Sequence, residues 1–152
     1  MRNSRKNRMN KLKMLFNNEE LFDGDKDWAL LILRVIPSFY LFFYHGMGKI
    51  TAGTDTWESL GAAALSLIGI SFGHVIFGFL AALSEGVLTW FVLLGLKTRL
   101  ASFFIMMTMF FAGSYHLSKG EGPELAFIYF AVYFTLFLRG PGNFSLDANF
   151  ES

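Results

Sequence analysis

The chain has no cysteine in its 152 residues. That absence excludes disulfides, thiolate metal ligands and a dithiol relay, so redox chemistry would need a bound cofactor or a partner. Charge is also scarce. Only 16% of residues are Asp, Glu, Lys or Arg, against 53% hydrophobic. This balance is too apolar for a soluble domain of this size and suits a small polytopic membrane protein. The net charge of +1 conceals an asymmetry, because Arg2, Arg5, Lys6, Arg8, Lys11 and Lys13 crowd the start while the apolar runs are nearly bare. Such a pattern bears on membrane topology rather than on nucleic acid, which is not an expected partner. The acidic stretch Glu19, Glu20, Asp23, Asp25 and Asp27 separates the basic arm from the first apolar run, and no small-residue cleavage site follows. These features argue against a cleaved signal peptide.

Four apolar segments, residues 28–44, 72–94, 100–117 and 125–138, approach the roughly 20 residues needed to span a bilayer. The last is short and reaches full depth only by including Pro123, Glu124 and Arg139. The expected fold is an all-α membrane protein, a bundle of four transmembrane helices. A short additional helix is expected in the first outer loop, over residues 56–70, opened by Asp55 and Glu58 as a capping box. Residues 1–27 form a cytoplasmic basic arm, where Met9, Leu12, Leu15 and Phe16 interleaved with Lys11 and Lys13 suit either an amphipathic surface helix or a disordered arm. The transmembrane domain covers residues 28–139, and residues 140–152 form a cytoplasmic C-terminal cap. Lys26, Lys97, Arg99 and Arg139 fall on the same face as the arm, whereas only Lys49 and Lys119 fall on the other. The positive-inside rule then puts both termini in the cytoplasm of a bacterial-type inner membrane.

Two charges interrupt the apolar runs: Arg34 in the first and Glu85 in the second. Each costs about 2.5–3.5 kcal/mol at a helix centre on an insertion scale, so an intramembrane polar site is expected. Both fall in the cytoplasmic half at comparable depths, and the expectation is that they pair. Such a pair could fix helix docking, or Glu85 could accept protons beside a polar ligand headgroup held by Arg34. A second polar set gathers at the outer helix ends: His45, Lys49, His74, His116 and Glu124. Separately these are ordinary interfacial residues; together they could line a shallow proton-exchanging site. Paired histidines for haem lack any attachment motif, and Met106, Met107 and Met109 suit core filling, so no metal site is expected. Among the aromatic belt candidates, Trp90 and Tyr133 lie deeper than a belt requires, while Tyr129 fits the belt. Gly69 with Gly73, and Ala82 with Gly86, have the spacing of close helix contacts.

Beyond the fourth run, Gly140 and Gly142 flank Pro141 and reverse the chain, and Ser145 or Asp147 can cap backbone amides or pair with Lys97, Arg99 or Arg139. The ordered set Arg34, His45-Gly46-Met47-Gly48-Lys49, Glu85-Gly86, Gly95-Leu96-Lys97-Thr98-Arg99 and Gly140-Pro141-Gly142-Asn143-Phe144-Ser145-Leu146-Asp147 resembles the DoxX family. The resemblance implies a four-helix membrane protein associated with quinone-linked oxidoreductase systems, with a bound quinone and no covalent cofactor. It implies a soluble or membrane oxidoreductase partner besides the lipid bilayer, and it leaves a homo-oligomer open. Catalysis by this chain alone is not implied. A non-catalytic anchor or assembly module is the alternative class, and a small-solute or proton carrier a third. The four short runs show no inverted repeat that would favour a carrier.

Overall fold

The structure is a computed structural model that describes residues 25–150. The amphipathic reading of residues 9–16 lies outside the described residues. The first helix, α1, runs as regular α-helix over Asp25–Leu41, passes through a π-helical turn at Phe42–Gly46 and resumes over Met47–Thr51. Next come α2 (Thr54–Ser66) and α3, which comprises His74–Leu83, a second π-helical turn at Ser84–Leu88, and Thr89–Leu94. The chain continues through α4 (Thr98–Ser118), α5 (Glu124–Arg139) and a short α6 (Leu146–Phe150). No strand occurs among the described residues.

Polarity is distributed in the reverse of a water-soluble fold. Arg34, Ser38, Ser84, Glu85, Thr89, Thr98 and Ser102 are buried, whereas Ile32, Ile36, Ile76, Leu100, Leu117 and Ile128 are each more than half exposed. An apolar outer surface of this extent has a low-energy environment only in lipid. Three helices, α1, α3 and α4, are long and apolar enough to cross a membrane. The fourth apolar run forms α5, but its 16 residues extend only about 24 Å against a hydrocarbon core of about 30 Å. An apolar core cluster lies between α1, α3, α4 and α5, with Leu41, Val92, Ile105, Met109, Tyr133 and Leu136 at its centre.

Helix packing depends on glycines at two crossings. A Cβ on Gly61 of α2 would overlap the His74 carbonyl of α3, and one on Gly78 would overlap the Trp57 carbonyl. At the second crossing, a Cβ on Gly46 would overlap the carbonyl of Glu85, while Gly86 faces Ile50 and the Gly46 carbonyl. Small residues permit this approach because association within lipid relies on van der Waals packing rather than on hydrophobic expulsion of water. Of the two expected small-residue pairs, the second supplies Gly86 to such a crossing, with Ala82 fully buried four residues before it. Gly69 and Gly73 have φ of 71° and 76° and lie between α2 and α3, outside the helices. The expected Asp55 and Glu58 capping box also does not form: Gly53 precedes α2 with φ 85°, and no side chain caps it.

Buried positions on α1 explain the first π-turn. Arg34, Ser38 and Leu41 follow helical spacing, but the next buried residue is Gly46, five positions on. The wider turn accommodates the extra residue and keeps one face directed inward. Gly46→Ala should therefore lower the thermal stability of the detergent-solubilised protein by about 1–3 kcal/mol through overpacking. Gly48→Ala, with nothing within 4 Å of its Cβ position, should be neutral or slightly stabilising in the same unfolding measurement.

Candidate functional site

The two π-turns face each other across the Gly46 and Gly86 crossing, which brings the last part of α1 against the middle of α3. This register sets Lys49 opposite Glu85. Lys49 Nζ donates to both carboxylate oxygens, at 2.6 and 2.7 Å. Glu85 is 1% exposed, so the lysine charge is what makes an ionised carboxylate tolerable there. The backbone is served as well: Thr89 Oγ1 donates to the Glu85 carbonyl at 2.9 Å and Trp57 Nε1 to the Lys49 carbonyl at 2.9 Å. Both bonds satisfy carbonyls at irregular or terminal turns.

A cavity of about 180 Å³ opens beside this ion pair. Its polar lining comes from Lys49, Glu85, His45, His116 and Tyr129, and Leu41, Met109, Ala112 and Leu125 supply apolar walls. His45 and Tyr129 meet edge to face at 6.4 Å, and Tyr129 stacks on Tyr133 at 6.5 Å. The Tyr133 hydroxyl lies 3.1 Å from Ser38 Oγ, completing a buried polar seam from the cavity toward the bundle centre. Among the described residues, neither the His45 imidazole nor the Tyr129 hydroxyl has a hydrogen-bond partner. Both are free to meet a ligand. His116 differs, because its Nδ1 is 2.6 Å from Glu121 Oε2.

The expected Arg34 and Glu85 pair does not form. Arg34 turns toward the opposite helix ends, where Nη1 donates to the Pro141 carbonyl at 2.9 Å and Nη2 to that of Phe144. Glu85 lies ten residues before Gly95, whose Cα packs against the Arg34 guanidinium, so the two charges sit about 15 Å apart along the bundle. Both were legible as polar positions, but their partners were not. Lys49 counts as a residue closing the first span only if the helix ends near residue 44; α1 in fact continues to Thr51.

The second polar set is brought together only in part. His45, Lys49 and His116 line the cavity, whereas the Glu124 carboxylate lies against Gly122 at its rim. His74 stays apart at the start of α3, with its carbonyl facing Gly61. Sequence reasoning missed Glu121 and the role of Ser38. The depth of Tyr133 was a signal, as was the polar Ser38 four residues after Arg34.

The C-terminal segment closes the Arg34 end. Gly140 ends α5 with φ 82°, and Gly142 follows with φ 80°. Asp147 caps α4 by accepting from the backbone N–H of Lys97 at 2.7 Å and of Thr98 at 2.9 Å, while its own N–H donates to the Gly95 carbonyl. Ser145 Oγ donates to the Gly142 carbonyl and accepts from Ala148 N–H, which folds the turn. Asp27 receives the N–H and the side-chain amide of Asn143, at 2.8 and 2.7 Å. Partial burial raises the Asp147 carboxyl, but the hydrogen bonds from Thr98 and Lys97 outweigh it and hold the group below its ordinary range.

An apolar exterior, buried charges and three helices of spanning length define a helical integral membrane protein. The DoxX family matches residues 29–117, more than half of the chain, and the chain belongs to that family. No curated protein and no solved structure matches it.

Two outcomes follow from these contacts. Lys49→Leu, which strands the buried Glu85, should destabilise by about 3–5 kcal/mol in detergent unfolding; Glu85→Leu, which strands only the half-buried Lys49, should cost less, and the double variant clearly less than the sum. At the other end, Asp147 has a depressed pKa in the folded state, so its stabilisation is present above the ordinary carboxylate range and is lost as pH falls through the folded value. Asp147→Ala should cost about 1 kcal/mol at neutral pH. It should also remove the acid-dependent increase in proteolysis of residues 140–150.

Proposed function

We propose that this chain is a membrane subunit of a quinone-linked oxidoreductase system and that the cavity beside Lys49 and Glu85 receives the quinone headgroup. The observation that carries this reading is the pairing of a part-buried ion pair with two unused hydrogen-bonding groups, His45 and Tyr129, on one small cavity. At about 180 Å³ it is smaller than the roughly 300 Å³ lower bound of sites for drug-sized ligands, so a single ring fits while an isoprenoid tail stays in lipid. His45 and Tyr129 can donate to ring carbonyl oxygens, Lys49 adds positive potential, and the Glu85 carboxylate lines the cavity wall beside them. A bound quinone would supply electron uptake coupled to protons, and a partner would supply the electrons. Four spans are part of the proposal. In it α5 crosses with α1, α3 and α4, α2 lies in the first outer loop, and both termini face the cytoplasm of a bacterial inner membrane, as the side holding Lys97, Arg99 and Arg139 indicates.

The mutual satisfaction of Lys49 and Glu85 favours a second reading, in which the chain is a non-catalytic anchor or assembly module whose ion pair serves docking alone. Mass spectrometry of the gently solubilised protein separates the two. Bound quinone and copurifying subunits are expected, with quinone lost in His45→Leu, a change that leaves the ion pair intact. Protein that is free of quinone in both detergent and native lipid, with His45→Leu behaving as wild type in cells, would leave the anchor reading standing.

A further inference from the structure

The Arg34 end of the bundle contains a second and larger cavity that the quinone reading does not use. It measures about 480 Å³ and is lined by Lys97, Arg99 and Arg139, together with the Gly140 to Asn143 turn. Asp147 is the one acidic residue of its lining, and both its carboxylate oxygens are engaged by backbone N–H groups of Lys97 and Thr98. The nearby Asp27 is taken by Asn143. Among the described residues, Arg99 and Arg139 form no ion pair. The lining thus carries three cations against one carboxylate, a net positive balance.

A third cavity, about 210 Å³ and almost entirely apolar, lies between α3 and α4, with Leu80, Leu83, Leu88, Phe91 and Phe104 as its walls. It shares Lys97 and Leu100 with the basic cavity, so the cationic pocket and the apolar groove adjoin at these two residues. Along α3 the groove extends from Phe91 to Leu80, about 17 Å at 1.5 Å per residue. Lys97 stands at the junction in a fixed left-handed conformation, φ 46°, held by its N–H bond to Asp147.

We infer that this composite site binds an anionic phospholipid, with its phosphate among Lys97, Arg99 and Arg139 and an acyl chain in the groove between α3 and α4. Charge complementarity selects the headgroup, and the uncharged groove selects a ligand that carries its own hydrocarbon. Free phosphate would use only the first. Each basic residue near a membrane surface contributes about 1 kcal/mol toward an anionic lipid, or roughly fivefold in affinity. The inference does not depend on the quinone reading, since the two cavities lie at opposite ends of the bundle.

Native mass spectrometry of the full chain, equilibrated with equal amounts of phosphatidylglycerol and phosphatidylcholine, tests it. Preferential retention of phosphatidylglycerol is expected. The Arg99→Gln, Arg139→Gln double variant should lose that preference by at least about tenfold. The charge-keeping Arg99→Lys, Arg139→Lys variant should restore most of it, which separates charge from misfolding, and Lys97→Gln gives an independent arm should the glutamine pair fail to fold. Equal retention of both lipids by wild type, or an unchanged preference in the glutamine variants, would overturn the assignment. Release of phosphatidylglycerol by millimolar inorganic phosphate would overturn it in favour of a free-phosphate site.

Discussion

A carboxylate sealed between helices has to be matched by a cation at contact distance, and the arrangement around Glu85 follows from that requirement. Lys49 can reach it only because α1 and α3 touch backbone to backbone, which in turn requires Gly46 and Gly86 at the crossing. The cavity, the unpaired His45 and Tyr129 and the seam to Ser38 are all arranged around this fixed point. The attraction is strong in low dielectric, but its net value is modest after desolvation; its effect is to set one register of two helices rather than to add much stability.

Arg34 solves the same problem by a different route. It neutralises nothing directly; instead, its guanidinium meets the Pro141 and Phe144 carbonyls, groups that a chain reversal leaves without helical partners. The cap thus meets both terminal nitrogens of the buried cation, while Arg34 Nε has no hydrogen-bond partner among the described residues. Gly95 is required to make room, since a Cβ there would collide with both the guanidinium and Ser145. The two buried charges thus belong to opposite ends of the bundle: one secures a chain terminus, and the other borders a cavity.

Local features were readable from the residues. Apolar run lengths located α1, α3, α4 and α5, and Gly95 and Gly140 marked helix ends because their positions demand positive φ. The poverty of charge within the runs also made Arg34 and Glu85 stand out as polar sites. Tertiary consequences were not readable. Pairing Arg34 with Glu85 assumed regular helices and a first span ending near Tyr44, whereas α1 continues through a π-turn and carries Lys49 to the level of Glu85. Nothing in the residue types announces a π-turn, since Phe42–Gly46 and Ser84–Leu88 read as ordinary helix. Likewise, Gly61 and Gly78 are on different helices, and no spacing rule within one segment could have joined them.

The π-turns give helix length a one-residue allowance. The wide turn takes up one surplus residue between Leu41 and Gly46 and so keeps Gly46 and Lys49 in phase with Ser38. Deleting one of these residues would let the turn close to regular α-helix with that phase kept, whereas a further deletion would rotate everything beyond by about 100° and swing the lysine toward lipid, even with all polar residues retained. Point changes at the lipid-facing positions of this turn would leave that phase untouched. In this stretch a single-residue deletion should therefore be tolerated where a second one is not, so the size of an alignment gap would be more informative than residue identity.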